Sequence, residues 1–286
     1  VFPLDIIRGD HRGVEFVDAD LTAILGITNY KDAEEIKDSV GEHHKKNPIV
    51  NFLFKYRITR PLANLLTPHQ TKSAFPNFIK KTDEERIQNK PDFASVFVTN
   101  KLVFCTEKLD GQSGTYFFRK KSWFRSEFGV CSRNLHLKTK HACTWWQIAE
   151  RYDFERKLKS LGRNIYIQGE IVGPNIQGNK YKLPVIEFYL FNAYDLDHNV
   201  YLTYGELNTL AATLGCNIVP IVPTHCLSQV LQDGSNFVQS MVSFSKGFSV
   251  INPCVIREGI VVREDAISFK NSIKVINPDF LLKNDE

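Results

Sequence analysis

The sequence predicts an α+β fold in which antiparallel sheets are flanked by helices. Three observations carry that expectation. From Ser95 onward, strand-length apolar runs dominate the chain. Segments with helical spacing lie between some of these runs, not after every one. The connections are short and hairpin-like, which favours antiparallel pairing over crossover units.

The elements follow in order. "SVFVTNKLVFCTEKLDG" (95–111) sets a Thr-Asn turn between two apolar runs. "GTYFFRKKSWFR" and "FGVCSRNLHLK" read as further strands. Residues 145–161 have helical spacing through Trp145, Ile148, Tyr152 and Leu158, with Gly162 where a C-cap belongs. The strands "NIYIQGEIVG" and "VIEFYLFNAYDL" come next. A second helix is expected from Glu206 to Leu214, stopped by Gly215, and a third from Leu227 to about Ser245. "EGIVVRE" and "SIKVIN" close the pattern as strands, and no internal repeat is visible.

A chain of 286 residues suits one large domain or two small ones. Hydrophobic residues at 43% and aromatics at 12% supply a substantial core and argue against global disorder. The net charge of +4 is too weak by itself to indicate nucleic acid. No apolar run reaches membrane-spanning length, and the opening residues carry no signal-peptide pattern. Cysteines 105, 131, 143, 216, 226 and 254 form no C-x-x-C pair and lack zinc-type spacing with histidine. They read as reduced thiols of an intracellular, cytoplasmic protein. The chain begins at Val1 and its only methionine is Met241, so a fragment or processed form is expected.

Residues 1–36 mix a short apolar run with an acidic, helix-like segment. A basic stretch follows, with ten Lys or Arg between Lys45 and Lys90 and prolines at 48, 61, 68 and 76. It reads as a loop-rich insertion or linker over 37–74, either solvated or touching nucleic acid.

The chemistry centres on Lys108, in "EKLDG". A single lysine at a strand end is ordinarily a solvated charge. Here Asp110 and Gly111 follow it, and two later strands each set a glutamate beside a glycine: Gly169-Glu170 and Glu258-Gly259. Lys270 and Lys274 come near the end. This ordered set suits a lysine amine that attacks the α-phosphorus of a nucleotide. The amine must be neutral to attack, and nearby positive charge lowers its pKa. Acidic residues hold a divalent metal, often through its waters. A terminal lysine neutralises the α-phosphate as pyrophosphate leaves. Gly111 is expected to let the backbone turn closely around the nucleotide.

"EKLDG", "CSRN", "GEIVGPNIQGNKY", "FYLFNAYD", "EGIVVR" and "IKVINPDFLLK", in that order, resemble the motifs of ATP-dependent RNA ligases, covalent nucleotidyltransferases. "FPNFIKKTDEERIQN" resembles the branch with an N-terminal OB domain. The resemblance spans about residues 75–283 and implies a nucleotidyltransferase (adenylation) domain over 75–286. Residues 1–36 then resemble the exit of an OB-type domain that is otherwise largely missing.

The resemblance also implies roles. Lys108 becomes adenylated, and Glu107 reaches the adenine amino group. Asp110, Glu170 and Glu258 hold Mg²⁺ or Mn²⁺, mainly through water. Arg133 contacts ribose or the RNA terminus, and Glu170 binds ribose or metal water. Phe191 stacks on adenine, although Tyr189 shares its strand face and core packing is the plainer role. Arg86 contacts the leaving phosphates. Lys274 matches the α-phosphate lysine; Ile276 stands where much of the family has a second one, so Lys270 is an alternative. The implied reaction joins RNA 3′-OH and 5′-phosphate ends with ATP, through lysyl-AMP and an RNA-adenylate, in RNA repair, by a monomer.

Three other readings remain open at this stage. A capping guanylyltransferase or a DNA ligase shares the lysyl-nucleotide chemistry, but only twelve residues follow Lys274, too few for the OB domain usual there. A catalytically incomplete RNA-binding remnant is the third. The basic-aromatic run Arg119–Arg125 is either a solvated hairpin tip or a grip on RNA phosphates.

Overall fold

Apolar runs of strand length need two partners each, one along each edge, and the chain satisfies them with two sheets. The computed structural model describes residues 72–90, 93, 103–138, 143–223, 237–265 and 271–284. The segment 1–36 and most of 37–74 lie outside these residues, as do Ser95–Leu102, the start of the expected third helix, and Lys270.

In chain order the strands are β1 (Lys72–Ala74), β2 (Glu85–Arg86), β3 (Val103–Lys108), β4 (Gln112–Ser122), β5 (Arg125–Cys131), β6 (Leu135–Leu137), β7 (Ile165–Val172), β8 (Glu187–Asp195), β9 (Val200–Tyr201), β10 (Asn217–Ile218), β11 (Gly259–Glu264) and β12 (Ser272–Ile276). The helices are α1 (Thr144–Arg151), α2 (Phe154–Ser160), α3 (Tyr204–Leu214), α4 (Phe237–Ser245) and α5 (Pro278–Asn284).

Among the described residues, the larger sheet has eight strands in the order β1-β6-β5-β4-β7-β8-β10, with β9 also on β8. The smaller has four, β2-β12-β11-β3. Pairing is antiparallel except for β10 with β8 and β12 with β2. The fold is α+β, as the strand runs and their short hairpin-like connections predicted. No helix among the described residues is long and apolar enough to cross a membrane.

Alternation decides which face each residue joins. On the larger sheet, Tyr116, Phe118, Ile165, Ile167, Ile171, Phe188 and Leu190 pack under α1, α2 and α3. On the opposite face, Phe117, Cys131, Tyr166 and Tyr194 form a second cluster with Ile79. The smaller sheet buries Cys105, Ile260, Val262, Ile273 and Val275 against Met241 of α4. Cys105 and Cys131 are thus fully buried, one in each sheet. All five described cysteines are free thiols.

Two expected elements are broken. The single helix over 145–161 is two, because Asp153 takes a left-handed φ of 53°. In an unbroken helix Phe154 would point about 120° away from Ile148. The break turns Phe154 into the core beside Tyr116 and Phe188, with ring centroids at 4.8 and 5.3 Å. The strand read through "FGVCSRNLHLK" folds back on itself. Ser132 N–H donates to Leu135 O at 2.9 Å, and β6 returns along β5. That turn lifts Arg133 out of the sheet.

Helix α3 ends at Gly215, in a left-handed φ of 67°, as expected. Its start is two residues earlier than predicted, because Thr203 and Glu206 form a capping box. Thr203→Ala should remove about 1 kcal/mol. For a domain of this size the thermal midpoint should then fall by roughly 2–4 °C, measurable by circular dichroism.

Candidate active site

The strand register places Lys108. β3 ends at Lys108, whose cross-strand partner on β11 is Gly259. A side chain at Gly259 would put its Cβ 2.2 Å from Val275 O, so β11 and β12 approach there only as bare backbone. Glu258, one residue earlier, therefore sits at the lip of the sheet. Its Oε1 accepts a hydrogen bond from Lys108 Nζ within an ion pair. Its Oε2 is buried and has no partner. Burial pushes the Glu258 carboxyl up, and the Lys108 charge and hydrogen bond oppose that.

Asp110 is held from two sides. Its N–H donates to Tyr181 Oη at 2.8 Å, and its carboxylate pairs with Lys180. Both partners come from the loop after β7. Gly173, Asn175, Gln177, Gly178, Asn179 and Lys182 there all have positive φ. Asn and Gly are the residues that tolerate this conformation. Asn179 ties the loop by bonding Leu183 N and O, each at 3.0 Å. Lys180 Nζ lies 4.5 Å from the centroid of Phe280.

Gly111 is also constrained by the fold itself. Its own φ is not left-handed, but a Cβ would lie 2.3 Å from Ile171 O. The residue is a glycine because β7 passes too close for anything larger.

That close passage sets Glu170 beside the lysine. Glu170 pairs in register with Ser113 on β4 and Tyr189 on β8. Burial pushes its carboxyl up to about 8; Lys108 and Arg133 pull it down, while Glu258 and Asp110 push it further up. Lys108, Asp110, Glu170, Glu258 and Arg133 therefore share one electrostatic neighbourhood. Among the described residues, no three His, Cys, Asp or Glu side chains form a group that would hold a metal ion directly.

A second group of charges gathers around Asp83. Its Oδ1 lies 3.6 Å from an Arg133 nitrogen and 3.5 Å from Lys274 Nζ. Lys274 is paired to Val261 on β11, two residues along from the Gly259 that faces Lys108, so alternation puts both lysines on one face. Arg86 neighbours Lys274 across the β2–β12 pair. The segment is anchored next to Asp83: Glu84 accepts from Arg263 at 3.2 Å and from Ser272.

Glu107, one residue before Lys108, alternates to the other face. Its Oε2 accepts the Val250 N–H at 2.7 Å, and its buried Oε1 has no partner. Burial raises its carboxyl, opposed by bonds from Ser249 and Val250 and by the Arg257 charge. Phe191 is the extra residue where the β7–β8 register shifts between Gln168 and Gly169. It is half-buried, with the Arg263 guanidinium 5.5 Å from its ring centroid.

Sequence reasoning missed Lys180, Tyr181 and Asp83. Lys180 and Tyr181 stood within the quoted "GNKY", where the Asn-Gly spacing signals the left-handed loop. Asp83 had a weaker signal, an acid amid lysines and arginines.

The RNA ligase family model matches residues 101–276. Among solved structures, a Naegleria gruberi RNA ligase mutant with ATP and Mn is 36% identical, with a TM-score of 0.61, over 73% of this chain and 59% of that one. A second mutant of that ligase with ATP and Mn is 30% identical, with a TM-score of 0.68, over 99% of this chain and 72% of that one. The same ligase with PPi gives 30%, 0.66, 99% and 72%. The chain thus spans about 59% of the length of the first of these structures. No curated protein matches.

The Glu170 shift has a sign that can be tested. Its raised pKa contributes stability that is fully present below the unfolded value, about 4.3. That contribution is lost as pH rises through about 8. In chelator, the thermal midpoint should fall across this window, and Glu170→Gln should flatten the fall. An unchanged slope in the variant would place the titration elsewhere.

Proposed function

The chain belongs to the RNA ligase family, and from that premise we propose that it joins RNA 3′-OH and 5′-phosphate ends with ATP through a lysyl-AMP intermediate. The observation that carries this reading is Lys108 Nζ held against Glu258 beside Asp110 and Glu170. In the first step Lys108 Nζ attacks the α-phosphorus of ATP. The N–P bond forms and the bond to pyrophosphate breaks. AMP then passes to an RNA 5′-phosphate, and the 3′-OH displaces it.

The paired Lys108 ammonium cannot attack until it loses a proton. The half-buried carboxylates around it fit a divalent cation held through water. Glu258 Oε2 lacks a partner, and Glu170 is held partly neutral by its surroundings. Mg²⁺ or Mn²⁺ supplies, when bound, positive charge that screens the phosphates. Asp110, Glu170 and Glu258 would hold it, with Lys180 and Tyr181 fixing Asp110 in place. Lys274, Arg86 and Arg133 are the cations available to the phosphates, and Lys270 remains the alternative to Lys274. Glu107 Oε1, buried and unpartnered, suits an adenine amino group. Phe191 is the adenine-stacking residue in this reading.

We take 75–286 as the adenylation domain, acting as a monomer. Scattered thiols support an intracellular, cytoplasmic place, and RNA repair is the use the reaction suits.

Intact-protein mass spectrometry after incubation with ATP and Mg²⁺ tests the first step. An AMP-sized gain is expected with ATP, none in Lys108→Ala, and none with GTP. A GTP adduct would indicate capping chemistry, and no adduct with either nucleotide would overturn the reading. Asp83 competes with phosphate for Arg133 and Lys274. Asp83→Asn should therefore tighten pyrophosphate binding in a calorimetric titration, by up to about fivefold, the scale of an exposed ion pair. Weaker binding would show Asp83 to be a support and not a competitor.

A further inference from the structure

The hairpin of β4 and β5 is longer than the sheet that carries it. β4 starts two residues after Asp110, and its pairing with β7 stops at Phe118–Ile165. Beyond that point only β5 accompanies it, and Lys120, Lys121 and Ser122 are exposed. From Gln112 to Ser122 a strand runs about 34 Å. The ribbon therefore carries its tip far from the reacting lysine.

The tip is Trp123-Phe124, closed by the Ser122–Arg125 pair. Two-residue turns ordinarily use Asn, Asp or Gly. Turn chemistry does not ask for this pair. Core packing does not either, since Trp123 is 92% exposed and Phe124 90%. Around them stand Arg119, Lys120, Lys121 and Arg125, against the single acid Glu127. The cations are not all loose. Lys120 Nζ donates to Gly162 O at 2.8 Å and so steadies the arm. Glu127 lies 2.9 Å from Lys121 and 3.6 Å from Arg119.

Aromatic rings presented to water among clustered cations match the chemistry of one ligand class, a nucleic acid with accessible bases. Rings stack on bases and cations meet phosphates. An acidic protein surface would use the charges and leave the rings wet. Resting on the RNA-joining reading, we infer that the Trp123-Phe124 tip is an RNA-stacking site that grips the substrate strand well away from the joined ends.

The test measures binding apart from catalysis. Fluorescence anisotropy with the full chain uses two labelled RNAs, a short one that ends before the tip and a long one that passes it. The double variant Trp123→Ala/Phe124→Ala should lose about fivefold to hundredfold affinity for the long RNA, the scale of stacking one base. It should leave the short RNA and Lys108 adenylation unchanged. Trp123→Phe/Phe124→Tyr, which keeps the rings, should restore most of the affinity. Unchanged long-RNA affinity, an equal loss on both RNAs, or a concentration-dependent dimer that the alanine variant abolishes would each overturn the assignment. Loss of lysyl-AMP formation in the unaltered chain would strike the ligase reading alone, since the anisotropy comparison needs no chemistry.

Discussion

The whole candidate site depends on one cross-strand pairing, Lys108 with Gly259. It brings the end of β3 against the beginning of β11, although the two residues are far apart in sequence. The pairing sets Glu258, the residue before that glycine, beside Lys108, and the two form an ion pair. An ion pair this enclosed is weak support for stability, because both charges lose water. Its value lies in position. It keeps a lysine extended toward the other sheet, where Glu170 and Asp110 wait.

The larger sheet meets this requirement through a second close approach. Gly111 allows β7 to come within contact of the chain just after Lys108. The loop following β7 then curls back in a run of left-handed residues and delivers Lys180 and Tyr181 to Asp110. Each such residue other than glycine carries backbone strain of about 1 kcal/mol or more, which persists only where the surroundings over-determine it. The strain is concentrated where a carboxylate has to be aimed.

Some of this was legible in the sequence, for a physical reason. Lys108 and Glu170 lie in strands and Glu258 just before one, each with glycine within three residues, and that pairing of a polar residue with a close-approach residue is readable without a structure. Asp110 was legible as part of the same cluster, but its two partners were not, since contacts across a loop have no period. The broken helix was illegible for a related reason. Spacing through Trp145, Ile148, Tyr152 and Leu158 is consistent with one helix, and only the need to seat Phe154 against Tyr116 and Phe188 forces the turn at Asp153. Likewise, "FGVCSRNLHLK" has a continuous strand pattern, and the fold-back at Ser132 is set by a bond between residues three apart. The strand "SVFVTN" and Lys270 fall outside the described residues.

The two buried thiols give each sheet its own witness. Cys105 lies in the core of the smaller sheet, three residues from Lys108, and burial pushes its thiol up to about 12. Cys131 lies in the larger one, two residues from Arg133, its thiol likewise pushed well up by burial. Neither reacts readily as a thiolate while the sheet around it stays closed. Alkylation of either one thus becomes a clock for the opening of its own half of the molecule. Whether the halves breathe together or separately is written into the two rates.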